Sequence, residues 1–188
     1  MITLITGGSA SGKSDYAENY TVQISGGSIR YYLATMQALG REEQVRIERH
    51  QRLRMGKGFV TIEQPLSVSA ALKKMENFGQ TGQARSVGKV ALLECMSNLT
   101  ANEMFADEEP KFCEMVADKI MGDIELLSKE LKHLVIVTNN VFEDGIAYDE
   151  ATMEYMRALG SINERLAVMA DRVVEVVVGI PLTIKEGK

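Results

Sequence analysis

Residues 2–14, ITLITGGSASGKS, decide the fold of this chain. The apolar, β-branched run Ile2–Thr6 predicts a buried strand, and Gly7–Ser14 then matches the pattern G-x-x-x-x-G-K-[ST]. A helix is predicted from Lys13 to Ile24. Glycines let a loop between a strand and a helix curl around phosphate groups with its N–H groups pointing inward, and the helix N-terminus adds a positive dipole end. The stretch therefore predicts a phosphate-binding loop.

The polar side chains of this loop have distinct expected roles. Lys13 is expected to contact the β- and γ-phosphates of a nucleoside triphosphate, and the Ser14 hydroxyl is expected to ligate Mg²⁺. A chance match to the pattern arises in about one per cent of chains of this length or fewer. A glycine-rich turn that binds no nucleotide is the alternative interpretation.

The rest of the chain repeats the order of strand and helix. Strands are predicted at Ile2–Thr6, Ile29–Thr35, Phe59–Glu63, Val90–Glu94, Leu134–Thr138 and Val173–Val178. Helices are predicted at Lys13–Ile24, Arg41–Arg54, Leu66–Asn77, Glu109–Leu131 and Glu150–Ala170. Several of the strands are continuously apolar, which is typical of parallel strands covered by helices on both faces. The pattern predicts an α/β fold with a mostly parallel central sheet.

Two segments bear on the domain organisation. The sequence GQTGQARSVG, residues 79–88, is rich in glycine and small polar residues and is predicted to be a loop; a domain linker is the alternative. Residues 180–188 are predicted to add a short antiparallel edge strand and a frayed end. A single domain over residues 1–188 is expected, since 188 residues of ordinary composition suit one core.

Composition and charge argue against several classes of partner. The formal net charge is −5, and no run of Lys or Arg is long enough for a nucleic-acid footprint. The apolar stretch Val173–Leu182 is shorter than the roughly 20 residues that span a bilayer, and the N-terminus does not resemble a secretory leader. The two cysteines, Cys95 and Cys113, lack metal-ligand spacing, so reduced thiols are expected. We expect a cytoplasmic protein without nucleic-acid or membrane partners.

Glu94 is the candidate metal-binding carboxylate. It ends the apolar run Val90–Leu93, and the carboxyl ends of parallel strands meet at the edge of the sheet where the phosphates would lie. Capping of the next segment, or pairing with a lysine, is the alternative role for Glu94.

The segment REEQVRIERHQRLR, residues 41–54, is too polar for an ordinary core helix. Arg46, His50 and Arg54 are spaced four apart, so a helix places them on one face with a cation on either side of the imidazole. A neutral imidazole is a good nucleophile and could attack a phosphorus atom. A solvated helix with a bystander histidine is the alternative. His133 is interpreted as a helix-terminal residue.

Taken together, these features resemble the bifunctional adenosylcobinamide kinase / adenosylcobinamide-phosphate guanylyltransferase family. Besides the phosphate-binding loop, the resemblance rests on YLAT, RIERHQRLR, LLECMSNL, VTNN and the closing GSINERLAVMADRVVEVVVGIPLTIK, and it covers nearly the whole chain. It implies a RecA-like P-loop NTPase fold and a homotrimer with the site between subunits.

The resemblance also implies two reactions of cobalamin biosynthesis. In the first, an NTP (GTP or ATP) phosphorylates the aminopropanol hydroxyl of adenosylcobinamide. In the second, GTP guanylylates a histidine, here His50, and GMP then passes to adenosylcobinamide phosphate. The expected catalytic residues are His50 and Lys13, and the expected metal ligands are Ser14 and Glu94. The expected nucleotide-binding residues are Gly7, Gly8, Ser9, Ala10, Ser11, Gly12, Lys13, Ser14, Arg46, Arg54, Glu63 and Glu94.

The chain departs from the family pattern at three places. Glu94 stands where the family often has Asp, and this longer carboxylate can still reach Mg²⁺. The family's Asp-x-Glu-Met appears as residues 40–43, GREE, and its Asn-Glu-Val-Gly as residues 139–142, NNVF. These changes are expected to alter corrinoid or base contacts and to leave the phosphate chemistry intact.

Two other functions fit part of the pattern. One is a P-loop small-molecule kinase without guanylylation, in which His50 has no role. The other is a GTP-binding switch protein that does not consume its nucleotide. Covalent attachment of nucleotide separates both from the bifunctional transferase.

Overall fold

The computed structural model describes residues 1–37, 40–41, 48, 52, 54–79, 88–107, 109–140 and 148–187. Within these residues, seven strands form one sheet in the order β3-β2-β4-β5-β1-β6-β7. The strands are β1 Ile2–Thr6, β2 Ile29–Ala34, β3 Phe59–Glu63, β4 Lys89–Glu94, β5 His133–Val137, β6 Arg172–Val177 and β7 Ile180–Glu186. The first six are mutually parallel and only β7 runs antiparallel, on β6. This confirms the predicted α/β fold with a mostly parallel sheet.

Described helices cover both faces of the sheet. They are α1 Lys13–Ser25, α2 Ala71–Gly79, α3 Met96–Met104, α4 Cys113–Glu130 and α5 Glu150–Met169, with a 3-10 turn at Val68–Ala70 before α2. Residues of α1 pack with one set of strand side chains, and residues of the other four helices pack with the alternate set. Successive side chains of a strand point to opposite faces, so the continuously apolar strands fill two cores at once. The result is a three-layer arrangement.

The predicted strands are all found, with bounds within one residue of the prediction, and the edge strand β7 is confirmed. Two predicted helix starts and the predicted position of His133 need correction. The predicted helix at Glu109 begins instead at Cys113, because the residue before Pro110 is disfavoured in a helix. The predicted helix at Leu66 begins instead at Ala71, after a left-handed turn at Ser67 with φ 47°. His133 is not at a helix end, since α4 ends at Glu130 and His133 begins β5.

Helix α3 is absent from the sequence predictions. Only Cys95 separates it from β4, and its sequence MSNLTANEM contains several weak helix formers. Packing stabilises it, because Met96, Leu99 and Met104 are fully buried. The predicted helix over 41–54 and the predicted loop over 79–88 fall mostly outside the described residues.

No described helix is long and apolar enough to cross a membrane.

Candidate active site

The phosphate-binding loop connects β1 to α1 at the carboxyl edge of the sheet. Its backbone requires residues that tolerate positive φ: Gly12 has φ 89°, and even Ala10 has φ 56°. At Gly7, an added Cβ would lie 2.5 Å from the carbonyl oxygen of Val176 on β6. The glycine pattern of the sequence therefore has a steric cause in the folded chain.

Lys13 crosses the loop from the first turn of α1. Its Nζ donates a hydrogen bond to the carbonyl oxygen of Gly8 at 2.9 Å, and the residue is only 7 % exposed. Burial lowers the pKa of Lys13, while the nearby carboxylate of Glu94 opposes that shift. The ammonium group is thus already held over the loop that would surround a phosphate.

Ser14 and Glu94 meet although 80 residues separate them in sequence. The Ser14 hydroxyl donates to Glu94 Oε1 at 2.7 Å, and Glu94 Oε2 is buried without a hydrogen-bond partner among the residues that the structure describes. Burial raises the pKa of Glu94 to about 7, against the Ser14 hydrogen bond and the Lys13 charge, which both lower it. A buried carboxylate oxygen without a donor is suited to a cation.

The donor set fits Mg²⁺ that is shared with a nucleotide. Among the described residues, no group of three His, Cys, Asp or Glu side chains could hold a metal ion. Mg²⁺ in phosphoryl-transfer sites usually takes one or two protein ligands and completes its shell with phosphate oxygens and water. Ser14 and Glu94 match that arrangement.

Thr35 supports the chain on which Glu94 lies, and the sequence predictions assigned it no role. Its hydroxyl accepts a hydrogen bond from the Cys95 N–H at 2.8 Å and donates one to the Glu94 carbonyl oxygen at 3.0 Å. The carbonyl oxygen of Thr35 in turn accepts from Asn102 Nδ2 at 2.7 Å. The sequence did contain a signal for this role, because Thr35, at the end of YLAT, is a polar residue directly after a buried strand.

Arg54 lies against an aromatic ring. Its guanidinium carbon is 3.5 Å from the centroid of the Tyr32 ring, and the residue is 8 % exposed. Its charge helps to lower the pKa of Glu94, the candidate metal-binding carboxylate. Arg46 and His50, the residues predicted to share its helix face, lie outside the described residues.

Glu63 ends the edge strand β3 and is exposed. The register pairs Ala34 of β2 with Glu63 on one side and with Glu94 on the other. Two strand spacings put the Glu63 and Glu94 backbones roughly 10 Å apart. Glu63 therefore shares the carboxyl edge with the loop but does not join the Ser14 and Glu94 pair.

The sequence predictions also did not include a cluster of charged side chains beside α1. Glu18 on α1 is only 2 % exposed, and Lys57 donates to it at 2.8 Å and to Asp15 at 3.1 Å. The cluster ties the chain that follows Arg54 to the helix that carries Lys13. Side chains so distant in sequence carry no local pattern that would reveal the pairing.

Comparisons with known proteins agree with this arrangement. The family model for cobinamide kinase / cobinamide phosphate guanyltransferase matches residues 3–184. The bifunctional adenosylcobalamin biosynthesis protein CobU of Escherichia coli strain K12 is 29% identical over 194 residues, covering 98% of this chain and 100% of the relative. The protein of the same name from Salmonella typhimurium strain LT2 is 28% identical, with the same coverage.

Among solved structures, the ATPase domain of G40P aligns with a TM-score of 0.51 at 8% identity, covering 93% of this chain and 68% of that one. At this identity the likeness concerns the fold alone, and it confirms the predicted P-loop NTPase architecture. The family match spans the loop, the Ser14–Glu94 pair and the closing hairpin as far as residue 184. The chain therefore belongs to the cobinamide kinase / cobinamide phosphate guanyltransferase family.

Proposed function

We propose that this chain phosphorylates adenosylcobinamide with an NTP and then transfers GMP from GTP, through a guanylyl-histidine at His50, to give adenosylcobinamide-GDP. The observation that carries the proposal is the meeting of Lys13, Ser14 and Glu94 at one sheet edge. The whole-chain family match supplies the substrate class.

In the kinase step, the P-loop N–H groups and Lys13 would bind the β- and γ-phosphates. The substrate hydroxyl oxygen forms a bond to the γ-phosphorus, the bond from that phosphorus to the bridging oxygen breaks, and the hydroxyl proton passes to solvent. Lys13 would stabilise the charge on the transferred group. Mg²⁺ held by Ser14 and Glu94 would supply further charge neutralisation at the phosphates.

In the guanylyl step, a ring nitrogen of His50 would attack the α-phosphorus of GTP, and pyrophosphate would leave. A phosphate oxygen of adenosylcobinamide phosphate would then attack the same phosphorus and release the imidazole. Arg46 and Arg54 would neutralise the phosphates during both transfers. The burial of Arg54 against Tyr32, together with its lowering effect on the pKa of Glu94, supports a guanidinium at this edge rather than one in bulk solvent.

The proposal has further parts, which rest on the sequence and on the family resemblance. Glu63 would contact nucleotide from the end of β3. The chain would act as a single domain, as a homotrimer in the cytoplasm, with a corrinoid and GTP or ATP as its small-molecule partners and without nucleic acid or membrane.

Retention of label from α-labelled GTP tests the covalent step. We expect label to stay on the denatured protein in an acid-labile, alkali-stable form, because that stability is expected of a phosphorus–nitrogen bond. The chain has two histidines, so His133→Ala is the matched control and should keep the label while His50→Asn loses it. Phosphorylation of adenosylcobinamide without retained label would favour the kinase that lacks guanylylation. Binding of GTP without either reaction would favour the switch protein.

A further inference from the structure

Two cations leave one turn of the chain, just before β3, and contact two different elements. The Lys57 N–H donates to the Arg54 carbonyl oxygen at 3.0 Å, and Gly56, with φ 86°, allows the turn to close. The Arg54 side chain lies on the Tyr32 ring of β2, whereas Lys57 Nζ contacts Glu18 on α1. The turn therefore links the positions of the two cations.

Arg54 is a buried cation without a carboxylate partner among the described residues. It is 8 % exposed, and none of the ion pairs between described residues includes it. The face of the Tyr32 ring offsets part of the cost of burying a guanidinium, but the guanidinium N–H groups still need acceptors. Phosphate oxygens of a bound nucleotide are suited to that role.

Glu18 is a competing acceptor on the same face of the sheet. It is 2 % exposed, and Ala17, its neighbour on α1, packs in the same apolar cluster as Tyr32. Burial raises the pKa of Tyr32, the charge of Glu18 raises it further, and the charge of Arg54 lowers it. Both charges act on the same hydroxyl group, so Glu18 attracts Arg54 unless a second cation neutralises Glu18.

Lys57 supplies that second cation. Its Nζ lies 2.8 Å from Glu18 Oε2 and 3.1 Å from Asp15 Oδ1. Burial lowers the pKa of Lys57, but the hydrogen bonds to these two carboxylates outweigh burial and raise it, so the ammonium group stays charged. The Glu18 side chain is 3 % exposed and the Asp15 side chain is 68 % exposed. Water therefore screens the Asp15 pair much more than the Glu18 pair.

We propose that Lys57 is a positioning residue that neutralises Glu18 and so keeps the guanidinium of Arg54 free for the phosphates of the nucleotide. The inference rests on the proposed role of Arg54 at those phosphates and adds the group that protects it. Without Lys57, Glu18 would be buried with an uncompensated charge, and its attraction for Arg54 would no longer be balanced. A guanidinium held by Glu18 would no longer contact phosphate.

Equilibrium binding of inorganic tripolyphosphate with Mg²⁺ tests this role, and retention of label from α-labelled GTP is the second readout. Lys57→Met is expected to weaken tripolyphosphate binding about 10- to 150-fold, the range for loss of one charge-assisted hydrogen bond, and to slow labelling as well. Addition of Glu18→Gln to Lys57→Met should restore tripolyphosphate affinity to within about threefold of wild type, because the competing charge is then removed. A lysine that only tethers the turn to α1 would show no such rescue.

Three further variants separate charge from folding. Lys57→Gln removes the charge and keeps a donor for Glu18, so it burdens folding less and should show the same loss and the same rescue. Asp15→Asn is the matched control, because it removes the exposed partner of Lys57 and should leave tripolyphosphate affinity within about twofold. In an Arg54→Met background, Lys57→Met should cause no further loss, since it acts through Arg54.

Wild-type tripolyphosphate affinity in both Lys57 variants would overturn the inference. Absence of rescue by Glu18→Gln would also overturn it, as would a full further loss in the Arg54→Met background. Failure of the wild-type chain to bind tripolyphosphate would instead overturn the proposed P-loop function, and this inference with it. Failure of the wild-type chain to retain label, with the expected binding pattern intact, would overturn the guanylyl step alone.

Discussion

Replacement of Glu94 by glutamine removes a buried negative charge while it keeps the shape of the side chain. The amide oxygen can still accept the Ser14 hydrogen bond, so the local packing should persist. The variant should therefore have two opposite effects. It should raise the stability of the ligand-free protein and lower the rate of the metal-dependent reaction.

The stability effect follows from the pKa of Glu94, which burial raises from 4.5 to about 7. A carboxyl group whose pKa is raised by folding stabilises the folded protein. This stabilisation is fully present at pH values below the pKa of the unfolded state and is lost as the pH rises through the pKa of the folded state. At 1.36 kcal/mol per pKa unit, the rise in the pKa of Glu94 corresponds to about 3 kcal/mol. Without Mg²⁺ and nucleotide, Glu94→Gln should therefore be more stable than wild type at pH 8 by at most about 3 kcal/mol, and the gain should vanish near pH 4.5.

Urea unfolding at pH 5 and pH 8 measures this difference, and Glu103→Gln is the matched control. Glu103 is also buried, but it accepts hydrogen bonds from Lys119 and from the Ser67 N–H, so its neutralisation weakens an ion pair and should destabilise the protein. With Mg²⁺ and NTP the order of stability should reverse, because the Glu94 variant lacks the charge that would hold the metal, and its turnover should fall about 100-fold or more. Equal stability of variant and wild type at both pH values, with unchanged turnover, would show that Glu94 neither carries a buried charge nor binds metal.

Three further variants test other parts of the site. Lys13→Ala should weaken NTP use in the kinase and guanylylation steps together, by several kcal/mol of transition-state stabilisation, as steady-state kinetics would show; near-normal rates in both assays would contradict the loop assignment. His50→Asn should abolish covalent GMP attachment and leave phosphorylation of adenosylcobinamide largely intact, and label on this variant would exclude His50 as the acceptor. Gly7→Ala should lower the free energy of unfolding by about 1–3 kcal/mol and weaken tripolyphosphate binding, because its Cβ would meet the Val176 carbonyl oxygen; calorimetry that finds neither change would refute the steric argument.

The strands were predictable because their signal is local. A parallel strand covered on both faces must be apolar at consecutive positions, and runs such as Val90–Leu93 stand out in a chain that is otherwise a quarter charged. Helix boundaries were less predictable where a proline or a left-handed residue interrupts the periodicity, as at Pro110 and Ser67. Helix α3 was missed because burial stabilises it, and the burial of Met96 and Leu99 depends on the packed fold.

The sequence by itself determined the phosphate-binding loop, the expected place of Glu94 at a strand end and the succession of strands along the chain. These features depend on the conformational freedom of glycine and on the periodicity of apolar side chains within one element. Only the tertiary structure decided that Ser14 donates to Glu94, that Thr35 holds the chain after β4 and that Arg54 lies on Tyr32. Each of these contacts joins residues from separate segments, and their distance in space depends on the strand order of the sheet, which no single segment of sequence encodes.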